Sequence, residues 1–206
     1  MTQPKAKHLT LWAIALPILL KAVLVAAVPL QAAIATSFGK TVVLRTVPID
    51  PYDPFRGYYT SLRYDISQRG ILSTLEGWNQ IKADLEPPAS TEILEPGRPF
   101  YVLLQAPTAN SSEPPTPWQP IAVVAERPSD LPDNQIALRG LYRRELIVYG
   151  LERYYLPESE RIELEDQIRA AQTAEEQPRL MVEVRIGPWG NAVPIALWLQ
   201  DQRVEF

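Results

Sequence analysis

The stretch Asp53–Asp65, DPFRGYYTSLRYD, places three tyrosines within seven positions behind a Pro-Phe-Arg-Gly turn. Read as a strand from Tyr58, it sets Tyr58, Thr60, Leu62, Tyr64 and Ile66 on one face and Tyr59, Ser61, Arg63 and Asp65 on the other. The first face is expected to meet a core. Arg56 and Gly57 stand where a chain entering a sheet turns tightly, and Asp50, Pro51, Asp53 and Pro54 supply the turn chemistry upstream. Tyr59 has the opposite parity to Leu62 and Tyr64. A regular strand, the preferred reading, sends it outward beside Arg63, whereas a bulge between Tyr59 and Leu62 would bring the three together.

Outward from this stretch the same alternation recurs. Thr41–Val47 is β-branched and ends at Pro48, Phe100–Ala106 follows the turn residues Pro96 and Gly97, and Trp118–Glu126 carries an early Pro120 that suits an edge strand. Ile136–Arg143 and Glu145–Tyr149 read as two short strands or one bent one. Leu180–Ile186 alternates and turns through Gly187–Asn191 into the apolar Ala192–Leu199. Two helices are expected: Ile71–Leu85, with a stripe at Ile71, Leu75, Trp78 and Leu85, and Glu158–Glu176 behind Pro157, with Leu164, Ile168 and Ala171 on one face. The 21 prolines, about twice the usual share, argue against a helix bundle. The fold class expected is mainly β with one or two helices, an antiparallel barrel or sandwich.

Leu9–Ala35 is apolar for longer than the roughly 20 residues that cross a bilayer. Residues 1–36 are therefore expected to be a membrane anchor and 37–206 an extracytoplasmic β-rich domain. Lys5, Lys7 and His8 precede the segment and no acid occurs before Asp50, which orients the N-terminus toward the cytoplasm. Ala33-Ile34-Ala35 also fits a cleavage site, but the apolar run exceeds a signal h-region and contains Lys21, so an uncleaved anchor is preferred. Lys21 either snorkels or meets an acidic or polar group on a partner membrane helix. Pro17 and Pro29 are expected to kink the span.

Several functions are excluded or disfavoured by composition. Seventeen of the 20 basic residues and all 24 acidic ones follow residue 36, a formal charge of −7 that is a poor footprint for nucleic acid. There is no cysteine, and His8 is the sole histidine, so thiol chemistry, thiolate metal sites and a Ser-His-Asp triad in the body are unavailable. No catalytic residue, metal or cofactor is assigned. Asp53, Asp65 and Glu152 keep open a hydrolase acting through paired carboxylates, the least favoured reading.

Gly57, Tyr59, Leu62 and Tyr64 follow the spacing of the motif Gly-Asp-Tyr-x-x-Leu-x-Tyr, and in this respect the chain resembles the GDYXXLXY family of bacterial proteins. Tyr58 stands where the family has aspartate. Tyr149–Glu158, YGLERYYLPE, is similar to the family's second recurrent stretch. The resemblance implies an N-terminal membrane segment followed by a single body, and it implies no activity.

The function expected is that of a single-pass bacterial membrane protein, not an enzyme, whose extracytoplasmic domain binds another membrane or envelope protein. The candidate contacts are Arg56, Gly57, Tyr59, Leu62, Arg63, Tyr64, Arg139, Tyr154 and Tyr155, with Lys21 meeting a partner in the membrane. Arg139 enters because Leu138-Arg139-Gly140-Leu141-Tyr142 echoes Phe55-Arg56-Gly57-Tyr58. The alternative is an envelope glycan or small-ligand binder that stacks its ligand on Arg56, Tyr59, Tyr154 and Tyr155.

Overall fold

The computed structural model describes residues 11–47, 60–61, 63–85, 97–108, 114–143, 146–154, 180–199 and 201–205. The helix expected over Glu158–Glu176 lies outside them. Among the described residues the chain is mainly β, in two antiparallel sheets that remain open rather than closing into a barrel.

The first sheet is built on β1 (Lys40–Val47), which pairs antiparallel with β9 (Leu180–Ile186) along six residues from Lys40↔Ile186 to Arg45↔Met181. β10 (Ala192–Leu199) pairs on the far side of β9, then β11 (Gln202–Glu205) on β10. β3 (Arg63–Tyr64) pairs with the other edge of β1, giving the order β11-β10-β9-β1-β3. The second sheet runs β5 (Gln119–Val124), β4 (Arg98–Gln105), β6 (Gln135–Arg143), β7 (Leu146–Val148). A two-residue ladder, β2 (Thr60–Ser61) with β8 (Arg153–Tyr154), stands apart from both.

Alternation puts Val42 and Leu44 of β1, Val182 and Val184 of β9, Phe100, Val102 and Leu104 of β4, and Leu138 of β6 into one shared core, each fully buried or nearly so. Every large side chain buried in this way contributes about 1.5–3 kcal/mol. Thr46 is the buried polar exception, and its hydroxyl donates to the Leu180 carbonyl at 2.6 Å. Pro120 does fall on the edge strand β5, and Pro194 falls at a register shift of β10, where a missing N–H costs the ladder least.

Two expectations are corrected, and one strand is new. The strand from Tyr58 is not continuous: Thr60–Ser61 pairs with β8, Arg63–Tyr64 pairs with β1, and Asp65–Ser67 is a 3₁₀ turn. The chain changes partner between Ser61 and Arg63, yet the parity survives, since Tyr64 and Ile66 are buried while Arg63 is exposed. The helix expected at Ile71–Leu85 is two pieces, the single turn α2 (Arg69–Leu72) and α3 (Trp78–Leu85). Gly77 divides them at φ 84°, where the Glu76 carbonyl accepts the Val123 N–H at 2.8 Å and ties the break to β5. β11, QRVE, was not anticipated because it is too polar to read as a strand. It is held by Glu183 of β9, which accepts hydrogen bonds from Arg203 Nε at 2.8 Å and Trp198 Nε1 at 3.2 Å. Burial pushes the Glu183 carboxyl up, but these bonds outweigh it and hold the group below its ordinary range.

The N-terminal segment bends at one of its two prolines. α1 (Leu11–Phe38) contains Pro17 and Pro29, and its limbs Ala15–Ala27 and Pro29–Phe38 meet at 42°. Among the described residues no single helix is long and apolar enough to cross a membrane, and only the two limbs together have the length and composition to do so. Proline at 29 removes the N–H that would close on Val25, and its ring crowds that carbonyl, which bends the axis there. The C-terminal limb is docked on the body. Ala35 is fully buried, the Thr36 carbonyl accepts from Arg185, and the Gln31 carbonyl accepts from the Asn191 amide at 3.1 Å. Arg185 thus places a cation on the orphan carbonyls of the helix end.

A Cβ at Gly77 would lie 2.1 Å from the Val123 carbonyl oxygen, on top of the strain of a positive φ. Gly77→Ala should therefore cost at least about 2 kcal/mol. In thermal unfolding this corresponds to a Tm lower by about 4–8 °C.

Candidate functional site: the clasp of the two tyrosine stretches

The elements that carry the candidate residues are joined by a reciprocal pair of hydrogen bonds. Tyr64, at the end of β3, is wholly buried, and its hydroxyl donates to the Leu151 carbonyl at 2.8 Å. Tyr149, just after β7, is buried too, and its hydroxyl donates to the Ile66 carbonyl at 2.6 Å. Beside them the β2–β8 ladder pairs Thr60 with Tyr154 and Ser61 with Arg153. Residues more than 80 positions apart are thus stitched at three points.

Local sequence makes each half of the clasp. Gly150 takes φ 78°, which turns the chain directly after Tyr149, and the Glu152 carboxylate closes the turn by accepting the Tyr149 N–H. On the other side, the Asp65 carboxylate accepts the Ile66 N–H at 2.6 Å and opens the 3₁₀ turn that presents the Ile66 carbonyl. The Tyr149 ring lies edge-on to Phe100, with centroids 6.4 Å apart at 61°. Gly140 of β6 provides the room, since a Cβ there would fall 2.8 Å from the Phe100 ring and 2.9 Å from the Tyr149 ring. The Arg139-Gly140 pair is therefore a notch in mid-strand, within the strand expected over Ile136–Arg143.

Electrostatics keep the clasp in one protonation state. Burial pushes the Tyr149 phenol well above its ordinary range, and the negative charges of Asp65 and Glu152 push it in the same direction. The hydroxyl stays a donor. Burial also raises the Asp65 carboxyl, against the opposing effects of the Ile66 N–H and the Arg45 charge. A neutral, fully bonded phenol is not a nucleophile or a base. Among the described residues no group of three or more His, Cys, Asp or Glu could hold a metal ion.

The candidate contacts separate. Tyr64, expected to touch a partner, is corrected to a core residue, since its side chain has no exposed surface. Arg63 and Arg139 are exposed, but they lie in different sheets, and the Arg139 N–H donates to the Gly190 carbonyl at 2.8 Å. Tyr154 is described through its backbone in β8, while Arg56, Gly57, Tyr59, Leu62 and Tyr155 lie outside the described residues, as does Asp53. Lys21 is exposed on α1. Tyr149 was missed as a clasping residue, although the Gly150 that follows it at the end of an apolar strand is a legible turn signal.

The model of the GDYXXLXY protein family matches residues 21–197. The chain belongs to the GDYXXLXY family. The match takes in both stretches of the clasp and begins at Lys21, inside α1. No curated protein and no solved structure matches the chain. Of the motif positions, Tyr64 lies among the described residues, in β3 and paired with Thr46 of β1.

Removing either hydroxyl leaves a buried carbonyl without its donor. Tyr64→Phe and Tyr149→Phe should each cost about 1–3 kcal/mol in denaturant unfolding. The double variant should lose less than the two losses added together, because both bonds close the same junction.

Asp65 gives a pH signature. Its folded-state pKa lies above the ordinary 3.8, so the folded form holds the proton to higher pH. The stability tied to Asp65 is complete below that value and declines as pH rises through the folded pKa. Asp65→Asn keeps an acceptor for Ile66, so it should match the wild type in Tm at low pH and exceed it at neutral pH. Equal Tm values at both ends of the range would refute this.

Proposed function

We propose that the protein is a single-pass protein of the bacterial cell membrane, with residues 1–36 as its anchor and residues 37–206 as a non-catalytic extracytoplasmic body that binds another membrane or envelope protein. The observation that carries this reading is the position of Lys21. It is the one charged residue of Leu11–Phe38, and it is exposed. Ten residues, about 15 Å of helix, separate it from Gln31, where the body holds the helix. In a bilayer that distance sets the ammonium near mid-depth, where an isolated lysine costs about 2.5–3.5 kcal/mol. A stem of roughly 6 Å does not span 15 Å, so snorkelling is the weaker account. An acidic or polar group on a partner helix offsets the cost.

On the body, Arg63 and Arg139 supply exposed guanidiniums, a residue type enriched at interfaces. A tyrosine-lined groove for a glycan has less support. Tyr64 and Tyr149 are packed, and among the described residues an apolar hollow of about 350 Å³ is lined by Ile81, Leu85, Arg98, Pro99, Phe100 and Ala125, none of them a tyrosine.

The test is recovery of partners from native membranes in mild detergent, with mass spectrometry, for the wild type, Lys21→Arg and Lys21→Leu. The charge-retaining variant should keep a stoichiometric membrane partner, and Lys21→Leu should reduce its recovery at least about tenfold, the equivalent of 1.4 kcal/mol. The same recovery by all three forms, or no partner for any, would sink the reading.

A further inference from the structure

Three features converge at one end of the body. The first is where the body lets go of α1. Asn191, Gly187 and Arg185 hold the helix at Gln31, Ala35 and Thr36, whereas Leu16, Leu19, Leu20, Val23, Val25 and Leu30 are all more than half exposed. Leu11–Leu30, the outer limb together with the first residues past the bend, is 20 residues, about 30 Å along the helix, which is close to the thickness of a bilayer's hydrocarbon core.

The second is the bend, which falls at Pro29, two residues before the first bond to the body. The outer limb is thereby free to take its own tilt while the docked limb keeps the body's orientation. The third is the turn Gly187–Asn191 between β9 and β10. It lies alongside the docked limb, because a Cβ at Gly187 would touch Ala35 and the Asn191 amide reaches the Gln31 carbonyl. At its apex Trp189 is 52% exposed, and at the far end of the docked limb Phe38 is 82% exposed. The turn is rigid, tied to the second sheet by the bond from the Arg139 N–H to the Gly190 carbonyl.

We infer that the hydrocarbon boundary of the bilayer lies at Gln31 and that the Gly187–Asn191 turn is seated in the phospholipid headgroup layer, with Trp189 as its anchor. An indole is an apolar body with one donor, and it partitions to that layer in preference to water or acyl chains. Phe38, about 10 Å further along the helix, marks the outer side of the same layer. The body therefore rests on the lipid surface in a fixed orientation, with the opposite, β10–β11 end of the first sheet pointing away. Seven strand steps of about 3.3 Å along β10 separate the two ends by roughly 23 Å.

This inference rests on the reading that α1 crosses the membrane, and the test separates the two. The chain has no cysteine, so Leu20→Cys, Pro188→Cys and Asp201→Cys each give the full-length protein a single nitroxide label. In phosphatidylcholine–phosphatidylglycerol vesicles, accessibility to oxygen and to a nickel chelate reports depth. The Leu20 label should lie in hydrocarbon, the Asp201 label in water, and the Pro188 label in the headgroup layer, with nickel accessibility several-fold below that of Asp201. A Pro188 label as accessible as the Asp201 label, with Leu20 still in hydrocarbon, overturns the inference and leaves the anchor standing. A water-exposed Leu20 label overturns both. Should Pro188→Cys fail to fold, brominated-lipid quenching compares the wild type with Trp189→Phe. A quenched emission component present only in the wild type supports the inference, and equal quenching in both overturns it.

Discussion

The hydroxyl of Tyr64 donates to the Leu151 carbonyl while the hydroxyl of Tyr149 donates back to the Ile66 carbonyl, and this exchange holds the middle of the chain to the strand β1. Each bond alone is worth about 1 kcal/mol net, but each also satisfies a buried carbonyl that has no ladder partner. The stretch from β2 to the 3₁₀ turn is too short in any one pairing to persist by itself, since β2 and β3 are two residues each. Fixing it from the opposite side, by a phenol held neutral through burial, makes a stable corner from three weak elements. The core side chains around it, Phe100 and Leu151 among them, exclude water and so raise the value of each bond.

Position along the chain then acquires a structural meaning. β1 leaves the docked end of α1 after a single residue, Gly39, and becomes the strand to which both β9 and β3 pair. The docked limb of the helix, the first sheet and the clasp are therefore one mechanical unit. A force or a contact applied at the docked limb of α1 reaches the Tyr64 corner through β1 rather than through a flexible linker. The docked limb adds to this, because Arg185 and Asn191 satisfy helix carbonyls that would otherwise need water.

Much of this was legible in the residues. The β-branched runs at β1 and β4, the closing hairpin of β9 and β10, the edge position of Pro120 and the burial of Tyr64 and Ile66 all follow from a period of two bounded by Gly and Pro. Family membership was legible too, from Gly57, Tyr59, Leu62, Tyr64 and the Tyr149 stretch. The candidate site was less so. Exposed Arg63 and buried Tyr64 are adjacent residues of one motif with opposite fates, and parity predicted those fates while the grouping of both as contacts ignored them.

By itself the sequence determined the period, the punctuation and the family, because side-chain alternation and the φ preferences of Gly and Pro act within a few residues. Only the tertiary structure decided that Thr60–Ser61 and Arg63–Tyr64 would take different partners, that Ile71–Leu85 would break at Gly77, that QRVE would become a strand and that α1 would dock. In each case the deciding group lies far away in the chain: Leu151 for Tyr64, Val123 for Gly77, Glu183 for Arg203, Asn191 for Gln31. A backbone or side-chain bond to a residue tens of positions distant leaves no mark on the local hydrophobic pattern, and it overrides that pattern when the group it satisfies would otherwise be buried alone.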